Sequence, residues 1–136
     1  MRIAAEILSL SRVVLDASAL LALLGTEPGS ETVAESIPGA VINTVNLSEV
    51  VAKLMERGVP EAAVRSALRE VELDVQPFGE DLAYRAGILR LATRSAGLSF
   101  GDRACLASGQ QLSVAVLTAD RNWRSLEVGV EIRFLR

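Results

Sequence analysis

Short β-branched runs alternate along this chain with stretches whose apolar residues recur at helical spacing, and that alternation is the tightest constraint on its fold. Val13-Val14-Leu15 is a strand-like run ending at Asp16, and Ala17 to Leu24 then reads as a buried helix stopped by Gly25. Residues 30 to 36 read as a short helix closed by Pro38-Gly39, and Ala40-Val41-Ile42 as a second strand. Thr44 is placed to N-cap a helix running to about Arg57, with Gly58 just past its end. Leu47, Val50, Val51 and Leu54 form the apolar face of that helix, and Asn46, Glu49, Lys53 and Glu56 fall on the other side. Pro60 opens a helix to about Glu70, and Leu73 to Gln76 reads as a third strand. Further helices are expected from Gly79 to about Thr93 and from about Phe100 to Gln110. Val114 to Leu117 is the clearest strand and leads into Thr118-Ala119-Asp120; a helical turn holding Trp123 and a last strand, Val130 to Phe134, follow. Strands and helices alternating over short connections predict an α/β domain with a mainly parallel sheet covered by helices. The order of the strands is not legible in this pattern.

A chain of 136 residues suits one domain. The expected organisation is an N-terminal extension over residues 1–12 and a single domain over 13–136. Half of the residues are apolar, yet there are only one Trp, one Tyr and three Phe, so the core must be aliphatic. A single cysteine, Cys105, allows no disulfide within the chain and no cysteine-based zinc site. The chain has no histidine, which removes Ser-His-Asp and Cys-His catalysis and leaves acid–base or metal chemistry to Asp and Glu. The net charge of −3 does not announce a nucleic-acid binder. Lys53 is the sole lysine; the arginines that make up the other cations suit bidentate phosphate contacts, and equally reflect a GC-rich coding sequence. The longest wholly apolar run, Ala19 to Leu24, is far short of the roughly 18 residues a membrane span needs. Glu6 interrupts the apolar N-terminal stretch and no clear cleavage site follows, so the expected location is cytoplasmic, with no membrane partner.

Two acids stand at equivalent places. Asp16 directly follows the first strand and Asp120 follows the Val114–Leu117 strand, so in a parallel sheet both lie at the carboxyl edge, where α/β folds place ligands. Asp102 falls in the first turn of its helix, where the dipole stabilises an anion, and Glu49 lies beside the apolar face of its own helix. Each has an ordinary alternative: Asp16 and Asp120 as helix N-caps, Asp102 as a capping charge, Glu49 as a solvated helix residue. Four converging carboxylates repel one another and raise one another's pKa. A hard divalent cation such as Mg²⁺ relieves that repulsion, activates water and stabilises a phosphoryl transition state, which permits phosphodiester hydrolysis without histidine.

At these residues the chain resembles the PIN-domain family, and in particular the VapC-type toxins of toxin–antitoxin pairs. The stretch Val14-Leu15-Asp16-Ala17-Ser18 is similar to the family's first motif, Asn46-Leu47-Ser48-Glu49 to its second, Leu98 to Ala107 around Asp102 to its third, and Thr118-Ala119-Asp120-Arg121-Asn122-Trp123 to its fourth. The resemblance implies a three-layer α/β/α sandwich and a Mg²⁺- or Mn²⁺-dependent endoribonuclease. It makes Asp16 and Asp102 the principal metal ligands, with Glu49 and Asp120 completing the site directly or through coordinated water. Ser18 and Thr118 would orient the carboxylates. Asn46 either contacts substrate or is an ordinary polar residue of the helix surface, and Arg103 and Arg121 are candidates for phosphate contact or charge balance. Cys105 is expected to be packed in the core, and Trp123 to pack in the core or at its edge rather than to serve as a base-stacking platform. The implied partners are an RNA substrate, an antitoxin and a second copy of the chain; the segments contributing to the homodimer would be Pro60 to Glu70 and the stretch near Ala83 to Leu91. Such toxins usually start one or two residues before the first strand, and this chain departs from them there. The competing readings are a catalytically inactive PIN-like binding module and a phosphoacceptor signalling domain, the latter requiring a lysine after a late strand.

Overall fold

A computed structural model describes residues 12–136. Most of the expected N-terminal extension therefore lies outside the described residues. Five strands form one sheet: β1 (Val13–Leu15), β2 (Val41–Asn43), β3 (Asp74–Gln76), β4 (Ala115–Thr118) and β5 (Ile132–Phe134). Their order is β3-β2-β1-β4-β5 and every pairing is parallel. The helices are α1 (Ala17–Leu24), α2 (Ser30–Glu35), α3 (Thr44–Glu56), α4 (Glu61–Glu70), α5 (Glu80–Ile88), α6 (Arg90–Thr93) and α7 (Phe100–Leu112), with a 3₁₀ turn at Arg121–Trp123.

The two-residue period of the strands sorts their side chains into two layers. Val14, Val41 and Val116 point to one face and pack with Leu82, Ala86, Leu89, Cys105, Leu106 and Trp123 from the α5–α7 side. Val13, Leu15, Ala115 and Leu117 point to the other face, against Ala19, Ala22 and Val33 of α1 and α2. Ile42, Leu20, Val50, Leu54 and Val64 continue the second layer towards α3 and α4. The central strands β1, β2 and β4 are wholly buried, whereas β3 and β5 are only partly so, as edge strands must be. The core is aliphatic apart from Trp123, and Cys105 is buried with it. Gly109 lets α7 approach the sheet closely, because a Cβ there would meet Val116 and Val130 side chains.

Several boundaries differ from the sequence reading for local physical reasons. The N-cap of α3 is Asn43, whose side chain accepts from the Asn46 N–H, and Thr44 is instead the first helical residue, its hydroxyl accepting from the Phe78 N–H. The expected helix over residues 79–93 is two pieces meeting at Leu89. The last strand begins at Ile132 rather than Val130. The order 3-2-1-4-5 also removes the phosphoacceptor alternative, since the receiver-type sheet runs 2-1-3-4-5.

Candidate active site

In this strand order the chain path reverses between β1 and β4, and a crevice opens at their carboxyl ends. Asp16 leaves β1 there and N-caps α1. Its Oδ1 accepts from the Ser18 hydroxyl at 2.7 Å and from the Ala19 N–H at 2.8 Å. Its Oδ2 accepts from the Thr118 hydroxyl, at the end of β4, at 2.5 Å. Thr118 in turn accepts from the Asp120 N–H, and Ser18 from the Ala119 N–H, so two hydroxyls stitch the acid of one strand to the loop after the other. Ser18 and Thr118, expected to orient the carboxylates, both donate to Asp16.

Asp16 is 4% exposed, and burial is the main reason its carboxyl is pushed up to about 6; the three donors pull in the opposite direction, and the nearby Asp102 charge adds to the rise.

Asp16, Glu49, Asp102 and Asp120 line one cleft of about 370 Å³ together with Ser18 and Asn46. All four also serve the fold, so the ordinary readings and the site reading hold together for most of them. Asp102 closes a capping box with Ser99, its Oδ2 accepting from the Ser99 N–H. Asp120 caps the 3₁₀ turn through Oδ1 and the Asn122 N–H. Glu49 Oε1 accepts from Asn46 Nδ2 at 2.8 Å. Each of these three thus engages one oxygen with the protein, and among the described residues no donor reaches the other. Asp16, by contrast, has donors on both oxygens.

The structure removes one of the two readings of Asn46 and gives Arg103 contacts within the protein. Asn46 is not a polar residue of the helix surface: it is 1% exposed, and its amide donates to both Glu49 and the Gly101 carbonyl. Its Oδ1 is buried without a partner among the described residues, a cost of about 1–3 kcal/mol that the local structure must offset. Arg103 donates to the Ala86 carbonyl and lies over the Phe100 ring, which ties α7 to α5. Arg121 remains exposed. Lys53, set aside in the sequence reading, stands in the cleft wall and pairs with Glu56 at 3.6 Å.

The sequence reading missed Asn43 and Gly101. Asn43 is fully buried and donates to the Ala104 carbonyl and the Ser108 hydroxyl, tying the start of α3 to the middle of α7. Gly101, Ala104 and Ser108 recur at helical spacing as a row of small residues; that spacing was the available signal. Cys105, one turn behind Gly101, is wholly buried; burial first, then the Asp16, Asp102 and Glu49 charges, hold its thiol well above its usual range.

The donor set suits a hard divalent ion. It consists of carboxylate oxygens with no nitrogen or sulfur ligand, and three of the acids keep an oxygen without a protein donor. Among the described residues no three acids are gathered into a ready-made cage. A larger groove of about 690 Å³ lies between α3, α4 and β3, but its floor is Leu47, Val51, Val64, Leu68 and Leu73 and it offers no comparable gathering of acids.

No curated protein matches the chain by sequence. Solved structures do match its fold. A toxin–antitoxin complex from Klebsiella pneumoniae is 18% identical with a TM-score of 0.71, over 91% of this chain and 98% of that one. DNA-bound VapBC from Salmonella typhimurium is 15% identical with a TM-score of 0.73, over 92% and 98%. FitAcB from Neisseria gonorrhoeae is 17% identical with a TM-score of 0.64, over 89% and 96%. The model of the PIN domain matches residues 13–128, which hold β1 to β4 and all four cleft acids. The chain belongs to the PIN-domain family.

Proposed function

We propose that this protein is a divalent-metal-dependent endoribonuclease and the toxin of a VapBC-like pair. PIN domains are typically nucleases. The observation that carries the reading is the meeting of Asp16, Glu49, Asp102 and Asp120 in one cleft at the reversal point of the sheet.

Asp16 and Asp102 would hold Mg²⁺ or Mn²⁺, which when bound offsets the clustered negative charge and stabilises the charge developing on a phosphoryl group. Ser18, Thr118 and the Ala19 N–H hold the Asp16 carboxylate in one orientation. Glu49, fixed at Oε1 by Asn46, has Oε2 available to take a proton from an attacking water. Asp120 keeps Oδ2 for the same solvent network. Products would carry 5′-phosphate and 3′-hydroxyl ends; a 2′,3′-cyclic phosphate would indicate attack by the ribose 2′-OH instead.

Several solved structures similar in fold are toxin–antitoxin complexes, which supports an antitoxin as partner. An antitoxin placing an Arg among the four carboxylates would compete with metal. A second copy of the chain would cover Tyr84, Ile88 and Leu91, which stand 66%, 75% and 75% exposed on successive turns of α5 and α6. The other candidate segment, α4, buries Val64 within the chain. No described helix is long and apolar enough to cross a membrane.

The deciding experiment is cleavage of mixed RNA by purified protein with Mg²⁺ or Mn²⁺, repeated with EDTA. Metal-dependent cleavage that Asp102→Ala abolishes is expected. No cleavage with either ion, or cleavage indifferent to EDTA, would overturn the nuclease reading. Growth arrest on expression without the neighbouring gene tests the toxin assignment separately.

A further inference from the structure

We propose that Gly101 is a positioning residue for Glu49: the space left by its missing side chain seats the Glu49 carboxylate, and Asn46 locks it there. A Cβ built on Gly101 would fall on the Glu49 carboxylate, touching Oε1, Oε2 and Cδ together. Gly101 is buried in the first turn of α7, with a helical backbone that any residue can adopt, so it is not needed there for its conformational freedom. On helix propensity alone, alanine would serve that position better.

Asn46 supplies the other half of the seat. Its amide nitrogen gives one hydrogen to Glu49 Oε1 and one to the Gly101 carbonyl. Flipping the amide would set an oxygen against two acceptors, so chemistry fixes its orientation. That orientation leaves Oδ1 without a partner among the described residues, which is the mark of an amide held for what its nitrogen does. Asn43 anchors the same end of α3 to α7 one turn further along, through the Ala104 carbonyl and Ser108. Glu49 is thereby registered against Gly101, the residue beside Asp102.

The kinetic arm of the test rests on the nuclease reading; a spectroscopic arm does not. Gly101→Ala is expected to keep the fold while RNA cleavage falls by about 10²-fold, the scale of loss expected from misplacing a catalytic group by an ångström. On a Glu49→Asp background, whose shorter side chain leaves room for the methyl, the same substitution should cost less than about threefold, because the two changes act on one group. Independently of activity, the Asn46 side-chain amide resonances of the protein should move in Gly101→Ala and in Glu49→Asp. Unmoved resonances in Gly101→Ala, cleavage within twofold of wild type, or an equal loss on both backgrounds would each overturn the proposal. Should Gly101→Ala not fold, Asn46→Ala carries the same demand, a large loss on wild type and a small one on Glu49→Asp. A wild type that cleaves no RNA would sink the nuclease reading, and the resonances would then decide the seat alone.

Discussion

Replacing Asp16 by Asn should stabilise the metal-free protein at neutral pH. Burial raises the Asp16 carboxyl from its ordinary 3.8 to about 6. At roughly 1.4 kcal/mol per pH unit, keeping it ionised in the fold costs about 3 kcal/mol. The sign follows from linkage. Below pH 4 the group is protonated in both folded and unfolded chains and imposes no cost. Between about pH 4 and 6 the folded chain holds the proton that the unfolded chain has released, so stability falls as pH rises, levelling off above 6. An introduced amide can keep the acceptor bonds from Ser18 and Ala19 on its oxygen. Its nitrogen can donate to the Thr118 hydroxyl, which reverses the direction of that bond. Allowing for imperfect geometry, a net gain of about 1–3 kcal/mol is expected, or roughly 3–10 °C in melting temperature for a domain of this size. The assay is thermal and urea unfolding of wild type and Asp16→Asn from pH 4 to 8 in EDTA, with the difference between the two proteins isolating this one group. Saturating Mg²⁺ should then restore the wild type by about 2.7 kcal/mol at a hundredfold excess over Kd and leave the variant nearly unmoved. A difference between the proteins that stays flat from pH 4 to 7, or a variant less stable than wild type at pH 7 in EDTA, would refute the burial argument.

Three further outcomes are expected. Glu49→Ala and Asp102→Ala should each lower RNA cleavage by at least about 10²-fold with the fold intact by circular dichroism, since neither side chain is a core contact. Asn43→Ala should destabilise by about 2–4 kcal/mol in urea melts, because it removes the cap of α3 and leaves a buried hydroxyl and carbonyl short of a donor. Light scattering should give about twice the monomer mass for wild type, and Ile88→Asp should reduce it to the monomer; a monomeric wild type would remove α5 and α6 as a self-interface.

Asp16, Asp102 and Asp120 were legible as candidates because each stands at a junction with a local signature, a β-branched run before Asp16 and Asp120 and a capping pattern around Asp102, whereas Glu49, midway along α3, has no such signature. Element type was legible for the same reason, through the period of apolar residues. The arrangement of buried polar groups was not. The surface alternative for Asn46 arose because periodicity reports only where apolar side chains lie, and its burial depends on a carbonyl 55 positions away. Arg103 looked available for phosphate beside Asp102, yet α5, folded back on α7, captures it. The N-cap was placed one residue late because Thr44 and Asn43 both have capping chemistry, and only the strand end at Asn43 decides between them. Strand order stayed hidden because local pattern contains no information on which strand lies beside which.

The burial of Cys105 makes this protein its own gauge of opening. The thiol sits inside α7 behind the acid cleft, held in its protonated, unreactive form by burial and the carboxylates around it. An alkylating reagent can therefore reach it only when the α7 region detaches from the sheet, so labelling rates count those excursions directly. With no second cysteine in the chain, every modified molecule reports the same event. Any ligand that tightens the cleft should slow that labelling, whether it is an ion or a protein, and without radioactivity, RNA or a reporter gene. Screening for the natural binder of the cleft then reduces to watching one sulfur atom.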